Sequence, residues 1–219
     1  MLANDELLFV PLGGVGEIGM NLALYGFGGK KNRKWIMVDL GVTFPMPNLP
    51  GVDLVLPDIR FAESLGDDLL AIIITHAHED HYGAVLSLWP RLKAPIYCTA
   101  FTAGMLEAKA RYEEEKIDLP VNIYQPGRTI ELGPFSIDPV YVTHSIPEPM
   151  ALGISTPLGR IVHTGDWKLD DHPSLGRNTD TEAFRKLGDD GVLALICDST
   201  NAMRDGVSPS EQDVSNSLA

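Results

Sequence analysis

The sequence predicts an α/β fold, and three observations carry the prediction. Strand-like apolar runs fill both ends of the chain. Between residues 69 and 116 such runs alternate with segments of helical periodicity, the pattern of strand–helix units around a sheet. Acids and histidines cluster at the ends of several of these runs, where a sheet delivers side chains to a common edge.

The first apolar run is Leu7 to Leu12. A glycine loop separates it from LALYGF, and a Gly/Lys turn leads on to WIMVDLG, so the first forty residues read as a meander of strands. The proline-rich segment TFPMPNLPGVDLVLPD is predicted to be irregular. Next come LLAIIITHA as a buried strand, HYGAVLSLWPRL as a helix, PIYCT as a strand and FTAGMLEAKARYEEEK as an amphipathic helix. Residues 121 to 166 are strand-rich, with TPLGR as the turn of a hairpin between ALGIS and IVHTGD. A short helix over Thr181 to Leu187 and the apolar strand GVLALICDS follow. Ser208-Pro209-Ser210-Glu211 reads as a capping box that starts a helix without a C-terminal stop signal before Ala219. The expected organisation is a domain over residues 1–207 and, over 208–219, the beginning of a helix that leads onward.

At 219 residues, 44% hydrophobic and 21% charged, the chain has the composition of an ordinary globular protein. It contains no apolar run long enough to cross a bilayer, so no membrane partner is expected. Asp5 and Glu6 stand where a secretory signal carries bases. Two cysteines cannot build a disulfide framework, which predicts a reducing, cytoplasmic setting. Cys98 and Cys197, each in an apolar run, are expected as small buried hydrophobes. A net charge of −13 argues against a simple electrostatic nucleic-acid binder, although a metal site can hold phosphates locally. The basic cluster Lys30, Lys31, Arg33 and Lys34 reads as a solvated hairpin turn.

Gly14-Val15-Gly16-Glu17-Ile18-Gly19 fits the dinucleotide fingerprint, with Asp39 twenty residues on. The fingerprint needs a helix after its last glycine, and here a strand pattern follows that soon meets Gly26. A tight loop whose backbone passes close to a site is the better reading.

The chemistry lies in Thr75-His76-Ala77-His78-Glu79-Asp80-His81. Residues two apart on an extended segment face the same way, so His76 and His78 project together beyond the strand end. Asp80 and His81 then open a helix whose first turn can point back at the same spot. Three imidazoles and a carboxylate this close suit a borderline metal such as zinc. His144 and Asp166 close two other apolar runs and complete a pair of sites: His76, His78 and His144 around one ion, Asp80 and His81 around another, Asp166 between them. Two ions about 3.5–4 Å apart can clamp both oxygens of a displacement at phosphorus.

With these residues in place the chain resembles the metallo-β-lactamase superfamily, whose hallmark is HxHxDH followed by a lone His and a lone Asp. GGVGEIGMN, THAHEDHYGAV, THSIPE, HTGDWK and CDSTNA make it similar, over nearly its whole length, to the ribonuclease J family, the bacterial branch of the β-CASP nucleases. The resemblance implies an αββα sandwich, two divalent ions (zinc, or manganese), and RNA as substrate. Hydrolysis would run through a metal-bridged hydroxide, inside the chain and from the 5′ end, in a protein that is a homo-oligomer at full length. It carries the ligand roles onto His76, His78, Asp80, His81, His144 and Asp166, with Asp80 and Asp166 also catalytic. Asp198 becomes a proton-handling residue that pairs with a β-CASP histidine, or else simply caps the turn after it. Asp39 becomes a buried acid bracing the metal loop, or else a strand-end turn residue. The β-CASP region and the last histidine ligand of the family have no counterpart in these residues, so the chain alone is expected to bind metal weakly or at one site and to be nearly inactive. Glu148 replaces the family's more usual Asp and carries no assigned role. His163 is expected to pack or hydrogen-bond beside Asp166, and His172 to lie on a surface loop.

Two rivals stand beside this reading. Another hydrolase of the same fold, acting on a thioester, lactone or β-lactam, could use the same metal cluster. A non-catalytic, metal-stabilised domain or an inactive truncated piece is the other.

Overall fold

The computed structural model describes residues 4–45, 49–112 and 117–218. Strands β1 (Glu6–Gly13), β2 (Leu22–Gly28) and β3 (Lys34–Val38) form the predicted antiparallel meander. β4 (Leu69–Ile73), β5 (Ile96–Cys98) and β6 (Val121–Ile123) then add in parallel, giving one sheet in sequential order from β1 to β6. The parallel additions need crossovers. α1 (Arg60–Ser64) lies between β3 and β4, α2 (Glu79–Tyr82) and α3 (Val85–Leu92) between β4 and β5, and α4 (Ala100–Ala110) between β5 and β6. The second sheet holds β7 (Ile130–Leu132), β8 (Phe135–Tyr141), β9 (Met150–Thr156) and β10 (Gly159–His163) as antiparallel neighbours, with β11 (Ala194–Ile196) parallel to β10 at the edge.

Strand alternation sorts the apolar residues into layers. Along β2, Leu22 and Leu24 face α1, α3 and α4, whereas Ala23, Tyr25 and Phe27 face the other sheet. Phe135, Ile137, Leu152 and Ile154 fill the opposite side of that inter-sheet layer. The outer face of the second sheet, Val140, Val142, Ala151 and Val162, is covered by Leu187, Ala183 and Phe184 of α5 (Thr181–Asp189). The result is an αββα sandwich.

Local differences from expectation have physical causes. The helix expected over residues 81–92 starts earlier and is divided in two at Gly83 and Ala84. The segment 43–58 is irregular except for one bridge between Thr43 and Val55, with residues 46–48 outside the described ones. The last four residues of the expected helix 101–116 also lie outside them. β11 is shorter than the run GVLALICDS because it pairs on one side only, and Leu195 faces outward at 60% exposure. For the same reason Cys197, just past this edge strand, is exposed rather than buried. Cys98, in β5, is buried as expected, its thiol pushed up to about 12 by burial. The final helix, α6 (Glu211–Leu218), uses a different cap from the one read. Ser210 Oγ accepts from the Asp213 amide, and Asp213 Oδ2 accepts from the Ser210 amide, so the box is Ser210 with Asp213 and leaves Ser208 outside. Lys30, Lys31 and Arg33 lie in the β2–β3 turn and Lys34 opens β3, where it pairs with Asp68 at 2.7 Å; Arg33 is not solvated as expected, because it packs down to pair with Glu6.

Candidate metal centre

β4 is flanked by β3 and β5, and its continuation, Ile74-Thr75-His76, leaves the sheet among buried residues. His78 keeps an extended backbone (φ −81°, ψ 146°) before α2 begins, so His76 and His78 fall on the same side. β8 delivers His144 and β10 delivers Asp166, each three residues beyond the strand end.

Beneath this cluster lies Asp39, buried at the end of β3 with a left-handed backbone (φ 62°). Its Oδ1 accepts from the Thr75 amide at 2.8 Å and its Oδ2 from the Thr75 hydroxyl at 2.9 Å. Oδ2 also meets His81 Nδ1 at 2.7 Å. A carboxylate only accepts, so His81 Nδ1 carries the proton and Nε2 is the free lone pair when the ring is neutral. Because the Thr75 hydroxyl spends its proton on Asp39, it accepts from His76 Nδ1 at 3.0 Å, which turns His76 Nε2 outward too. One acid thus sets the tautomer of two histidines.

The outward atoms converge. His78 Nδ1 lies 3.1 Å from His76 Nε2 and 3.1 Å from His144 Nε2. Asp166 reaches His81 Nε2 at 3.2 Å and His144 Nε2 at 3.7 Å, and Asp80 Oδ2 lies 3.6 Å from His81 Nε2. Donor atoms of His76, His78, His144 and Asp166 lie within 4.8 Å of one another, as do those of Asp80, His81 and Asp166. Ligands held by a tetrahedral zinc at about 2.0–2.1 Å are roughly 3.3–3.4 Å apart, close to the spacings among the three imidazoles. Ring nitrogens whose lone pairs face one another have too few protons to satisfy themselves. The donor set therefore fits divalent ions.

Residues 29–189 match the metallo-beta-lactamase superfamily. The chain belongs to that superfamily. It is 63% identical over its whole length to ribonuclease J of Sinorhizobium meliloti, of which it spans 39%. It is 41% identical over 98% of its length to ribonuclease J of Corynebacterium glutamicum, of which it spans 29%. The chain thus corresponds to about two fifths or less of these relatives. A solved structure of a protein of unknown function from Enterococcus faecalis superposes on 97% of this chain and 56% of its own, with a TM-score of 0.63 at 20% identity, a likeness of fold.

The two donor groups of this superfamily member differ electrostatically. Burial, reinforced by neighbouring imidazoles, pushes His76 well below its ordinary value, and burial also lowers His78 and His144. These rings are neutral at pH 7, as ligands must be. Burial works against the charged form of His81 as well, but Asp39 and Asp166 outweigh it and hold the ring at about 10. An ion that takes His81 Nε2 below that pH has to displace a proton. Its affinity should therefore rise close to tenfold per pH unit between pH 7 and 9 and level off above about 10, with nearly one proton released per ion. Calorimetry in buffers of different ionisation enthalpy measures this. Uptake at the three-histidine group should release almost none, and uptake of a second ion without proton release would contradict the assignment.

A cavity of about 520 Å³ opens beside the cluster, lined among others by Asp80, His81, Asp166, Asp198 and the loop Gly13–Gly19. The glycine loop thus runs past the site as the sequence suggests. Asp198 lines this cavity, and its Oδ1 also accepts from the Thr200 amide at 2.8 Å, so the turn-capping geometry is present. His163 bonds Tyr25 Oη at 2.8 Å, and burial lowers it to about 4. His172 is exposed. Thr75 and Glu148 have roles that escaped the sequence. Thr75 relays Asp39 to His76, and its only signal is a hydroxyl immediately before the first ligand. Glu148, at φ 56°, has Oε2 accepting from the Phe101 amide at 2.9 Å, tying the loop after His144 to the first turn of α4. No local pattern announces a contact across 47 positions.

Proposed function

We propose that the chain is the metal-ligating part of a metal-dependent ribonuclease of the ribonuclease J type. The observation that carries this is 63% identity along the entire chain to a ribonuclease J, with every HxHxDH, His and Asp position drawn into two donor groups that share Asp166. His76, His78 and His144 would hold one ion, and Asp80 and His81 the other, with Asp166 between them. Zinc suits the first group by its imidazole donors, and manganese suits the more carboxylate-rich second.

Bound ions would supply a water-derived nucleophile at neutral pH and neutralise charge on both oxygens of an in-line displacement at phosphorus. The chain's own residues do the rest. Asp39 fixes two imidazole tautomers, Asp166 would be shared by the two groups, and Asp198, which lines the same cavity, would handle a proton together with a histidine of the β-CASP region. With a net charge of −13, the RNA backbone is to be gripped by parts of the longer protein, here expected as a β-CASP region entered through residues 208–219. Among the described residues the second ion has three protein donors, Asp80, His81 and the shared Asp166, so the chain alone should take it weakly and turn over RNA poorly. Residues 1–207 would then be the N-terminal part of the metallo-β-lactamase-type domain. Among the described residues no helix is long and apolar enough to cross a membrane. A cytoplasmic, homo-oligomeric enzyme with both endo- and 5′-exonuclease action completes the proposal.

The longer protein should cleave RNA, lose that activity on chelation and regain it with zinc or manganese. A thioester, tried in parallel, should not be turned over. RNA cleavage that survives exhaustive chelation, or survives replacement of Asp80 and of His81 by Ala, would refute the mechanism.

A further inference from the structure

The block Gly13-Gly14-Val15-Gly16-Glu17-Ile18-Gly19-Met20-Asn21 resembles a nucleotide loop and is not one, and Asn21 gives it a purpose. Asn21 Nδ2 lies 3.1 Å from the Asp80 carbonyl oxygen, 3.3 Å from Asp80 Oδ2 and 3.1 Å from His81 Nε2. Both Asp80 oxygens can only accept when ionised, so the amide nitrogen, not its oxygen, faces the metal loop. One N–H is donated to the carbonyl and the other to Asp80 Oδ2, immediately beside His81 Nε2.

The backbone around this contact is laced on both sides. The Asn21 amide donates to Asp80 O at 2.9 Å and Asn21 O accepts from the Gly41 amide at 3.0 Å. Met20 N donates to Val42 O at 2.8 Å, and Leu40 N to His81 O at 2.7 Å. Residues 20–21, 40–42 and 79–81 therefore form one hydrogen-bonded layer directly under the second donor group. The glycines are what let it close. A Cβ on Gly13 would stand 2.1 Å from Met20 O, and one on Gly14, itself at φ 80°, would stand 2.3 Å from Asn21 Oδ1. Any side chain there would push Asn21 off Asp80.

From this geometry we infer that Asn21 is a positioning residue for the second metal group: its amide fixes the corner at which Asp80 and His81 meet. The inference rests on the two-group reading of the centre. Groups that orient metal ligands from behind are worth roughly 10–100-fold in metal affinity. Because Asn21 hydrogen-bonds Asp80 and lies beside His81, and makes no hydrogen bond to His76, His78 or His144, the effect should fall on one ion only.

The test uses this chain, Asn21→Ala, and Asn21→Leu, which removes the donor at similar volume. One equivalent of Zn²⁺ fills the three-histidine group, and Mn²⁺ titrated to millimolar concentration is read by water-proton relaxation, which registers weak binding. Both variants should bind Mn²⁺ at least tenfold more weakly than the unmodified chain, with Zn²⁺ affinity changed less than threefold. Unchanged Mn²⁺ affinity in both variants would overturn the inference. So would equal losses for both ions together with a lower Tm, since that is what a purely structural turn residue gives. An unmodified chain that takes up Zn²⁺ but no Mn²⁺ would instead fail the two-group reading, and the inference with it, before any variant is compared.

Discussion

Asp39→Ala should lower stability by about 3–5 kcal/mol, the range for removing one partner of a buried charged pair. For a chain of this size that is a fall in Tm of roughly 6–20 °C. Three groups lose their acceptor at once, the Thr75 amide, the Thr75 hydroxyl and His81 Nδ1, all buried. With the carboxylate gone nothing dictates which nitrogen of His81 holds the proton, and the freed Thr75 hydroxyl can donate to His76 instead of accepting from it. Both ions should then bind weakly. Asp39→Asn separates the two effects. The amide oxygen can keep the Thr75 N–H, but its NH₂ faces both His81 Nδ1 and the Thr75 hydroxyl, so it favours the His81 tautomer with the proton on Nε2 and leaves the Thr75 hydroxyl to donate to His76 Nδ1, which puts the His76 proton on Nε2 as well. That variant should stay close to the parent in thermal unfolding while binding both ions more weakly. If Asp39→Asn bound two ions as the parent does, the tautomer argument would be wrong.

Most of the candidate centre was legible because its residues obey short-range rules. His76, His78, Asp80 and His81 span six positions, and a strand end followed by a helix start converts that spacing into convergence without knowledge of the rest of the fold. His144 and Asp166 were legible as polar residues ending apolar strands, and their pairing with the first cluster came from chemistry rather than from pattern. What stayed hidden depends on distance along the chain. Asn21 meets Asp80 across 59 positions and Glu148 meets Phe101 across 47, contacts that only the finished sheets create. Asp39 was suggested by resemblance alone, since a strand-end Asp is an ordinary turn residue until its three hydrogen bonds are seen.

The misread elements have a common cause as well. The expectation for Cys197 and the strand before it rests on composition, which cannot tell a central strand from an edge strand. Ser208 with Glu211 is the first matching S-x-x-E spacing at the start of α6, whereas the box that forms lies two residues later, at Ser210 and Asp213. There Glu211 is free to hold Lys168 at 2.8 Å, two residues from Asp166. A local motif that matches twice is decided by what the displaced residue can do elsewhere.

Gly41→Ala should be as damaging as the loss of Asp39, by a different route. A Cβ at Gly41 would stand 1.6 Å from the Asp80 carbonyl oxygen, 2.0 Å from its carbon and 2.7 Å from the His81 amide nitrogen. None of these is the tip of a movable side chain, so the main chain at residues 80–81 has to retreat by more than 1 Å, a shift on the order of a van der Waals radius deficit. That retreat breaks the layer in which Leu40 N meets His81 O, Val42 N meets Glu79 O and Gly41 N meets Asn21 O. Each such bond is worth about 0.5–1.5 kcal/mol, and overpacking adds about 1–3 kcal/mol, so a loss near 4 kcal/mol and a Tm lower by roughly 8–16 °C are expected. The same displacement carries Asp80 Oδ2 and His81 Nε2 away from Asp166, so the second ion should be lost even at temperatures where the variant is folded. Gly104→Ala is the control. It lies within α4 with nothing inside 4 Å of its Cβ position, and should stabilise the chain by about 0.5–1 kcal/mol through helix propensity. A Gly41→Ala protein that melts with the parent and binds the second ion as tightly would mean that the metal loop is softer than this backbone layer requires.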